Sequence, residues 1–201
     1  MAYRGGRFVE IEPLGESEDV DYPAPIGRRP SFTTLHSEVA TLPRAFPEAE
    51  EVTFKIALEP ALVERFQLLA AIGLASNEPV EVGSSMIRPR QVLAAVARTL
   101  PQAAGTEDVE SLMVVLEGAR GGEPARVIAE SLIHPDPEAG LGGGARDTGI
   151  PPSIVAQMIG SGEIEQRGMF APEDVVDADR FFEELARRGI RYTVRSERPA
   201  S

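Results

Sequence analysis

The chain contains no cysteine and no tryptophan, a single lysine, two histidines and no long hydrophobic run. Each shortage removes a class of function. Without cysteine there is no disulfide framework and no thiolate for metal binding, so nothing argues for secretion. His36 and His134 are separated by nearly half the chain, which leaves a histidine-based metal centre little to draw on, and no metal is expected. No apolar run approaches the roughly 20 residues of a membrane span. The N-terminal "MAYRGGRFVEIEP" lacks the apolar core of a signal peptide, so a soluble, cytoplasmic protein is expected. Positive charge is also scarce, with 20 basic residues against 32 acidic ones and a formal net charge of -12. Nucleic-acid binders concentrate cations to displace counterions, and anionic lipid attracts the same kind of surface. Neither partner is expected here. Lys55 is the lone lysine among many arginines, a bias that reads as genome composition rather than design.

What is present suffices for a folded domain. Hydrophobic residues make up 42% of 201 positions, enough to bury one sizeable core or two small ones. "GRFVEI" reads as a short strand, and the proline- and acid-rich "EPLGESEDVDYPAPIGRRP" excludes a packed helix. In "SFTTLHSEVATLPRAFP" β-formers lead and proline punctuates, while "EVTFKIAL" alternates Val52, Phe54 and Ile56 against polar neighbours as a strand should. Helical spacing then takes over. Leu62, Phe66, Leu69 and Ile72 define one stripe, and Val92, Val96 and Leu100 a second, each helix opened by proline and the second closed by Pro101. "SLMVVLEGARGGEPARVIAESLI" reads as a hairpin turning at Gly121-Gly122. Ile154, Val155, Met158 and Ile159 share a face of a following helix. The last helix is capped by Asp177, carries Phe181, Phe182 and Leu185, and stops at Gly189 before the strand "IRYTV". There is no internal repeat, and the order of elements predicts one α+β domain over residues 1–201, a mixed sheet covered on one side by helices.

"GLGGGA", Gly140 to Ala145, matches the G-x-G-x-x-G/A spacing that holds a dinucleotide pyrophosphate. That fingerprint needs a strand running directly into the glycines and a helix directly out of them. Upstream lies "HPDPEA", whose prolines cannot end a buried strand, and downstream the helix is expected only near Pro151. No acidic residue about 20 positions on ends a second strand, as the ribose contact requires. The sequence therefore reads as a connecting loop, with no cofactor bound by this chain alone.

A longer pattern carries more. "TGIPPSIVAQMIGSGEIEQRGMFAPEDVVDADRFFEELARRGI", Thr148 to Ile190, resembles the C-terminal segment of the saccharopine dehydrogenase family. In that family a T-G-[IV]-P turn opens a helix ending in G-E-I, followed by R-G-[MVF], a proline-bearing turn and a closing helix ending in R-G-I. "YRGGRFVEIEPLG" and "PIGRRPSFTTLHSEVATLP" resemble the start of the same family's second domain, and the likeness is weakest over residues 60–130. The resemblance implies a fold like the C-terminal domain of glyceraldehyde-3-phosphate dehydrogenase. It implies an NAD(P)-dependent oxidoreductase whose N-terminal Rossmann domain, in cis or in trans, carries the true glycine fingerprint. It further implies a homodimer formed through this half, and a small amino-acid-like substrate, a secondary amine oxidised at its CH–NH bond. The expected role is thus the substrate-binding and dimerisation portion of such an enzyme, inactive alone. The alternative is a stand-alone binding or assembly module without catalysis.

A substrate with several carboxylates and an amine calls for arginines, hydroxyls and a titratable group. "GRRPSFTTLHSE" supplies Arg28, Arg29, Thr33, Thr34, His36, Ser37 and Glu38 together. His36 is the candidate for moving the proton of the substrate nitrogen. Arg28, Arg29, Thr34, Ser37 and Glu38 are candidates for binding the substrate. Thr148, with Gly149 before the expected helix start, is a further one, because free amides there could meet an anion. Each has a plainer reading: polar residues satisfying a loop, arginines balancing an acidic surface, or a threonine shaping the entry to a helix. His134 reads as an ordinary loop residue.

Overall fold

The computed structural model describes residues 1–12, 14–100 and 108–197. It is α+β, as expected, but the expected single mixed sheet is replaced by four separate antiparallel sheets. The first joins β1 (Ala2–Arg4), β2 (Arg7–Val9) and β5 (Glu51–Val52) in the order β2-β1-β5. The second joins β3 (Ser17–Asp21), β4 (Arg28–Thr34) and β6 (Phe54–Ala57) in the order β3-β4-β6. A small hairpin pairs β7 (Val80–Val82) with β8 (Ser85–Ile87), and β9 (Glu110–Arg120), β10 (Glu123–Ile133) and β11 (Tyr192–Glu197) form the fourth sheet.

Short glycine turns explain the antiparallel pairing. Gly5-Gly6 and Gly121-Gly122 all have positive φ, the conformation a two-residue hairpin turn demands, and so tight a turn cannot join parallel strands. The stretch "EVTFKIAL" also behaves differently from a single strand. Val52 pairs with Tyr3 in the first sheet, whereas Phe54 pairs with Thr34 in the second. The chain changes sheets at Thr53.

Helices cover one face of the β11-β10-β9 sheet. On that face Leu112, Ser131 and Tyr192 stand side by side, followed by Ile133. Helix α4 (Gly143–Ser161) supplies Ile154 and Met158 against them, and α6 (Ala178–Arg187) supplies Leu185; with Ile164 and Ile190 they make the main core. Ile159, expected on the same stripe as Ile154, is exposed instead. The caps are as expected. The Asp177 carboxylate accepts from the Arg180 N–H at 2.8 Å, and Gly162 and Gly189 take left-handed φ after α4 and α6. Two short helices pack on each other at the edge of this core, with Val175 reaching it. α1 (Glu38–Ala45), which the proline-punctuated sequence concealed, is tied to α5 (Pro172–Val175) by the Arg44–Asp174 ion pair and by Thr41 Oγ1 donating to Glu173 at 2.6 Å.

α2 (Pro60–Ala71) and α3 (Pro89–Ala97) form where the spacing placed them, but their stripes face outward. Phe66, Ile72, Val92 and Val96 are all exposed, and Val63 is the buried apolar side chain of α2. Pro101, expected to bound α3, lies outside the described residues.

Candidate functional site

Four places among the described residues bring polar side chains together, and the first is the glycine loop itself. α4 begins at Gly143, inside "GLGGGA", not near Pro151 as expected; both Pro151 and Pro152 sit within the helix. The glycines are there for close approach rather than for a cofactor. A Cβ on Gly143 would lie 2.5 Å from the Ile133 carbonyl and 2.8 Å from the Asp108 carbonyl, both backbone atoms. A Cβ on Gly142 would overlap the Asp108 carboxylate at 1.7 Å. The glycine-only stretch thus lets the head of α4 rest directly on β10 and on the residues entering β9. Its amides are already taken: Gly143 N–H donates to the Asp108 carbonyl at 2.9 Å and Gly144 N–H to Asp108 Oδ2 at 2.8 Å. A carboxylate stands where a pyrophosphate would have to sit, so this loop does not fit a dinucleotide.

Two more carboxyl groups gather at the same helix head. Burial pushes Glu110 above the usual carboxyl range, with the charges of Asp147 and then Asp108 adding to it. Burial raises Asp147 as well, and it raises the Tyr192 phenol, to which Asp147 contributes. Glu110 and Tyr192 lie on the helix-covered face of the sheet, flanking β10, and Asp147 comes from α4 above them. Sequence reasoning missed this trio. Its only signal was the i, i+2 spacing of Asp108 and Glu110, which puts two acids on one face of an extended chain. Among the described residues no three such side chains converge tightly enough to hold a metal ion.

The second place is the end of β4. His36 stacks on Phe54 with ring centroids 4.1 Å apart and an interplanar angle of 15°. Its Nδ1 contacts the Glu38 carboxylate, to which Ser37 Oγ also donates at 3.2 Å. Phe54 is the strand partner of Thr34, so Thr34, His36, Ser37 and Glu38 are brought together on exposed surface, while Thr33 is buried beneath. Arg28 and Arg29 are not part of this group. They open β4, seven residues long at about 3.3 Å per residue, and point to opposite faces of it. Arg28 pairs instead with Asp19 at 3.1 Å. Thr148 is apart again, exposed within α4, where its amide belongs to the helix and not to a free N-terminus.

The third is a cleft of about 630 Å³ between β3-β4-β6 and the uncovered face of β11-β10-β9. Val20, Met113, Val115 and Ile128 give it an apolar floor, and Lys55, Arg126 and Arg195 are its cations. A smaller groove of about 210 Å³ lies between α4 and α6. There Glu184 bonds Arg188, and also Arg180 and Arg187 at 2.5 Å each, and the first of these contacts leads in pulling its carboxyl down to about 2. Those charges satisfy one another and leave nothing for a ligand.

The described residues form an α+β fold with a helix-covered antiparallel sheet, a cleft on the sheet's other face and no dinucleotide cradle in the glycine loop. The chain belongs to the saccharopine dehydrogenase C-terminal domain family, whose model matches residues 2–190. It is similar to carboxyaminopropylagmatine dehydrogenase of Synechocystis sp., at 28% identity over 195 residues, 94% of this chain and 48% of that protein. The chain spans about half the length of this relative. No helix among the described residues is long and apolar enough to cross a membrane.

Proposed function

We propose that the chain is the substrate-binding and dimerisation domain of an NAD(P)-dependent oxidoreductase that acts on the CH–NH bond of an amino-acid-derived secondary amine. The observation that carries this reading is the family match across residues 2–190, joined to a relative that is itself named a dehydrogenase. A nicotinamide cofactor, held by a Rossmann domain outside this chain, would supply the hydride chemistry. This chain's residues bind the amine and hold its proton.

The His36–Glu38 pair supports such a role. A carboxylate at Nδ1 fixes the ring and leaves Nε2 for the proton of the substrate nitrogen. Phe54 stacked beneath keeps the ring in one plane. Arg28 and Arg29 stand too far along β4 to share one small substrate with His36. Dimerisation is supported by apolar surface on the helix-covered sheet face beyond the reach of the helices, where Val114, Leu116 and Val194 are exposed.

The test is reconstitution. The chain is mixed with a separately produced Rossmann half, and NAD(P)H-linked turnover of amine substrates is followed. Turnover is expected with both halves and with neither alone. His36→Ala should lower kcat by about 10²-fold or more with a smaller effect on KM. Absence of turnover in the mixture, with both halves folded, would overturn the enzymatic reading in favour of a binding or assembly module.

A further inference from the structure

We infer, resting on the dimerisation part of the reading above, that the free edge of β9 pairs antiparallel with the same edge of a second copy, in a register centred on Val115. The edge itself is the first observation. β9 is 11 residues long, and β10 is its one strand neighbour among the described residues. From Val114 to Arg120 it is exposed without interruption. No proline or lysine blunts it, and a long bare strand edge is a template for another strand. The Gly121-Gly122 turn closes on Arg120 and Glu123. Bonding to β10 therefore alternates through the even-numbered residues. The N–H and C=O groups of Ser111, Met113, Val115, Glu117 and Ala119 point outward.

The register follows from charge. A two-fold axis normal to the sheet makes the helix-covered faces of the two copies continuous, so facing residues share a face. On that face β9 carries Glu110, Leu112, Val114, Leu116, Gly118 and Arg120, an acid at one end and a base at the other. Pairing about Val115 engages all 11 residues and sets Glu110 of each copy opposite Arg120 of the other. Neither side chain has an ion-pair partner among the described residues of its own chain. Glu110 stands instead beside the like charges of Asp147 and Asp108, so the incoming guanidinium meets a negative end. Val114 faces Leu116 of the second copy, which covers exposed apolar side chains on both. Glu117, already paired with Arg126 at 3.3 Å, faces Met113. Moving the centre to Glu117 would set that carboxylate against its own copy, and any move parts Glu110 from Arg120.

The chain lacks cysteine, so a single introduced thiol can link only to its own copy. Facing Cα atoms of an antiparallel pair lie about 4.5–5.5 Å apart, within the roughly 4.4–6.8 Å that a disulfide spans. Under mild oxidation of the full chain, Val115→Cys is expected to give a covalent dimer. Ala119→Cys, whose copy lies at the far end of the paired strands, is expected to give none. Sedimentation reads the charges. Arg120→Glu sets carboxylate against carboxylate at two symmetric places and should weaken the dimer about ten-fold or more. Glu110→Arg should do likewise by opposing two guanidinium groups. Glu110→Gln should also loosen the dimer, although it relieves the separated chain of an unbalanced charge. The double variant Glu110→Arg/Arg120→Glu should recover wild-type association, a rescue that misfolding of the single variants would not allow. The inference is overturned if Val115→Cys links no better than Ala119→Cys, if the single reversals leave the dimer unchanged, or if the double variant is no tighter than they are. A dimer that fails these tests sinks the edge pairing and leaves the dimerisation reading standing, whereas a monomer across the micromolar range sinks dimerisation itself. Turnover of the reconstituted enzyme is read independently of both.

Discussion

Helices α4 and α6 bury the centre of their apolar stripes, with Ile159 and Phe182 left exposed, whereas α2 and α3 leave most of theirs in water. Ile154 and Leu185 are 1% and 2% exposed; Phe66 and Val96 are 46% and 55% exposed. The helices differ in what lies opposite. α4 and α6 have the flat face of a three-stranded sheet, presenting Leu112, Ile133 and Tyr192, while among the described residues neither α2 nor α3 packs on a strand to a comparable extent. Hydrophobic period specifies that a helix forms and which side is apolar. It does not specify a cover for that side.

The largest expected effect tests that contrast directly. Ile154→Ala should destabilise the chain by about 2–5 kcal/mol, because it removes buried methylenes and leaves a cavity under α4. Phe66→Ala removes more atoms but should cost no more than about 0.5 kcal/mol, as surface substitutions do. Urea denaturation of the two variants measures both. A large loss for Phe66→Ala would mean that α2 is covered in solution, by a second copy or by another domain.

The glycines of α4 sharpen the comparison within one helix. Gly143→Ala forces a Cβ against three backbone atoms, of Ile133, Asp108 and Glu110, that cannot move independently, and should cost about 1–3 kcal/mol by overpacking. Gly149→Ala meets nothing within 4 Å in the same helix and should stabilise it by roughly 0.5–1 kcal/mol. Opposite signs in thermal melts are the expected result. Equal and small effects would show that the head of α4 does not rest on the sheet.

Much of this was legible in the sequence where a local rule decides the outcome. The hairpin at Gly121-Gly122, the Asp177 cap and the Gly162 and Gly189 stops each depend on a few adjacent residues. The start of α4 was not legible, because glycine's weak helix propensity and the two prolines both argue against a helix there. Tertiary contact overrides them, since only glycine fits between the helix backbone and the end of β10. Splitting of "EVTFKIAL" between two sheets left no local trace either. The site followed the same division. His36, Ser37 and Glu38 are neighbours in sequence and remain so in space, whereas Asp147 and Glu110 meet only through packing of α4 on the sheet. Arg28 and Arg29 are near His36 in sequence, but an extended strand carries them away from it.

A smaller effect separates the two charged groups that flank α4. Three arginines hold Glu184 ionised, with a folded-state pKa of about 2 that lies below the ordinary carboxyl value. A lowered pKa stabilises the fold above the unfolded-state value, and that contribution is lost as pH falls toward 2. Glu184→Gln should therefore lower the melting temperature at pH 7 by a few degrees at most and flatten its fall in acid, a difference that vanishes near pH 2.

Asp147 should behave in the opposite sense. Its carboxyl is raised by burial, as is that of Glu110 beside it, and no arginine or lysine pairs with either among the described residues. A raised carboxyl pKa means that the folded state binds the proton more tightly than the unfolded chain does. The fold is then favoured while both states are protonated, and that advantage is lost as pH rises through the unfolded and then the folded value. Wherever the unfolded chain ionises, the buried Asp147 is a burden on stability. Asp147→Asn should remove it, raising the melting temperature by about a degree or two at pH 7 and leaving it unchanged at acid pH. Glu110→Gln should do the same, and the double variant should gain less than the sum, because the Asp147 charge that adds to the Glu110 shift is relieved by either substitution. Scanning calorimetry from pH 4 to pH 8 reads these differences. A drop in melting temperature for Asp147→Asn at pH 7 would show that its charge is paired in solution and that the head of α4 is not a place where unbalanced carboxylates are held against the interest of the fold.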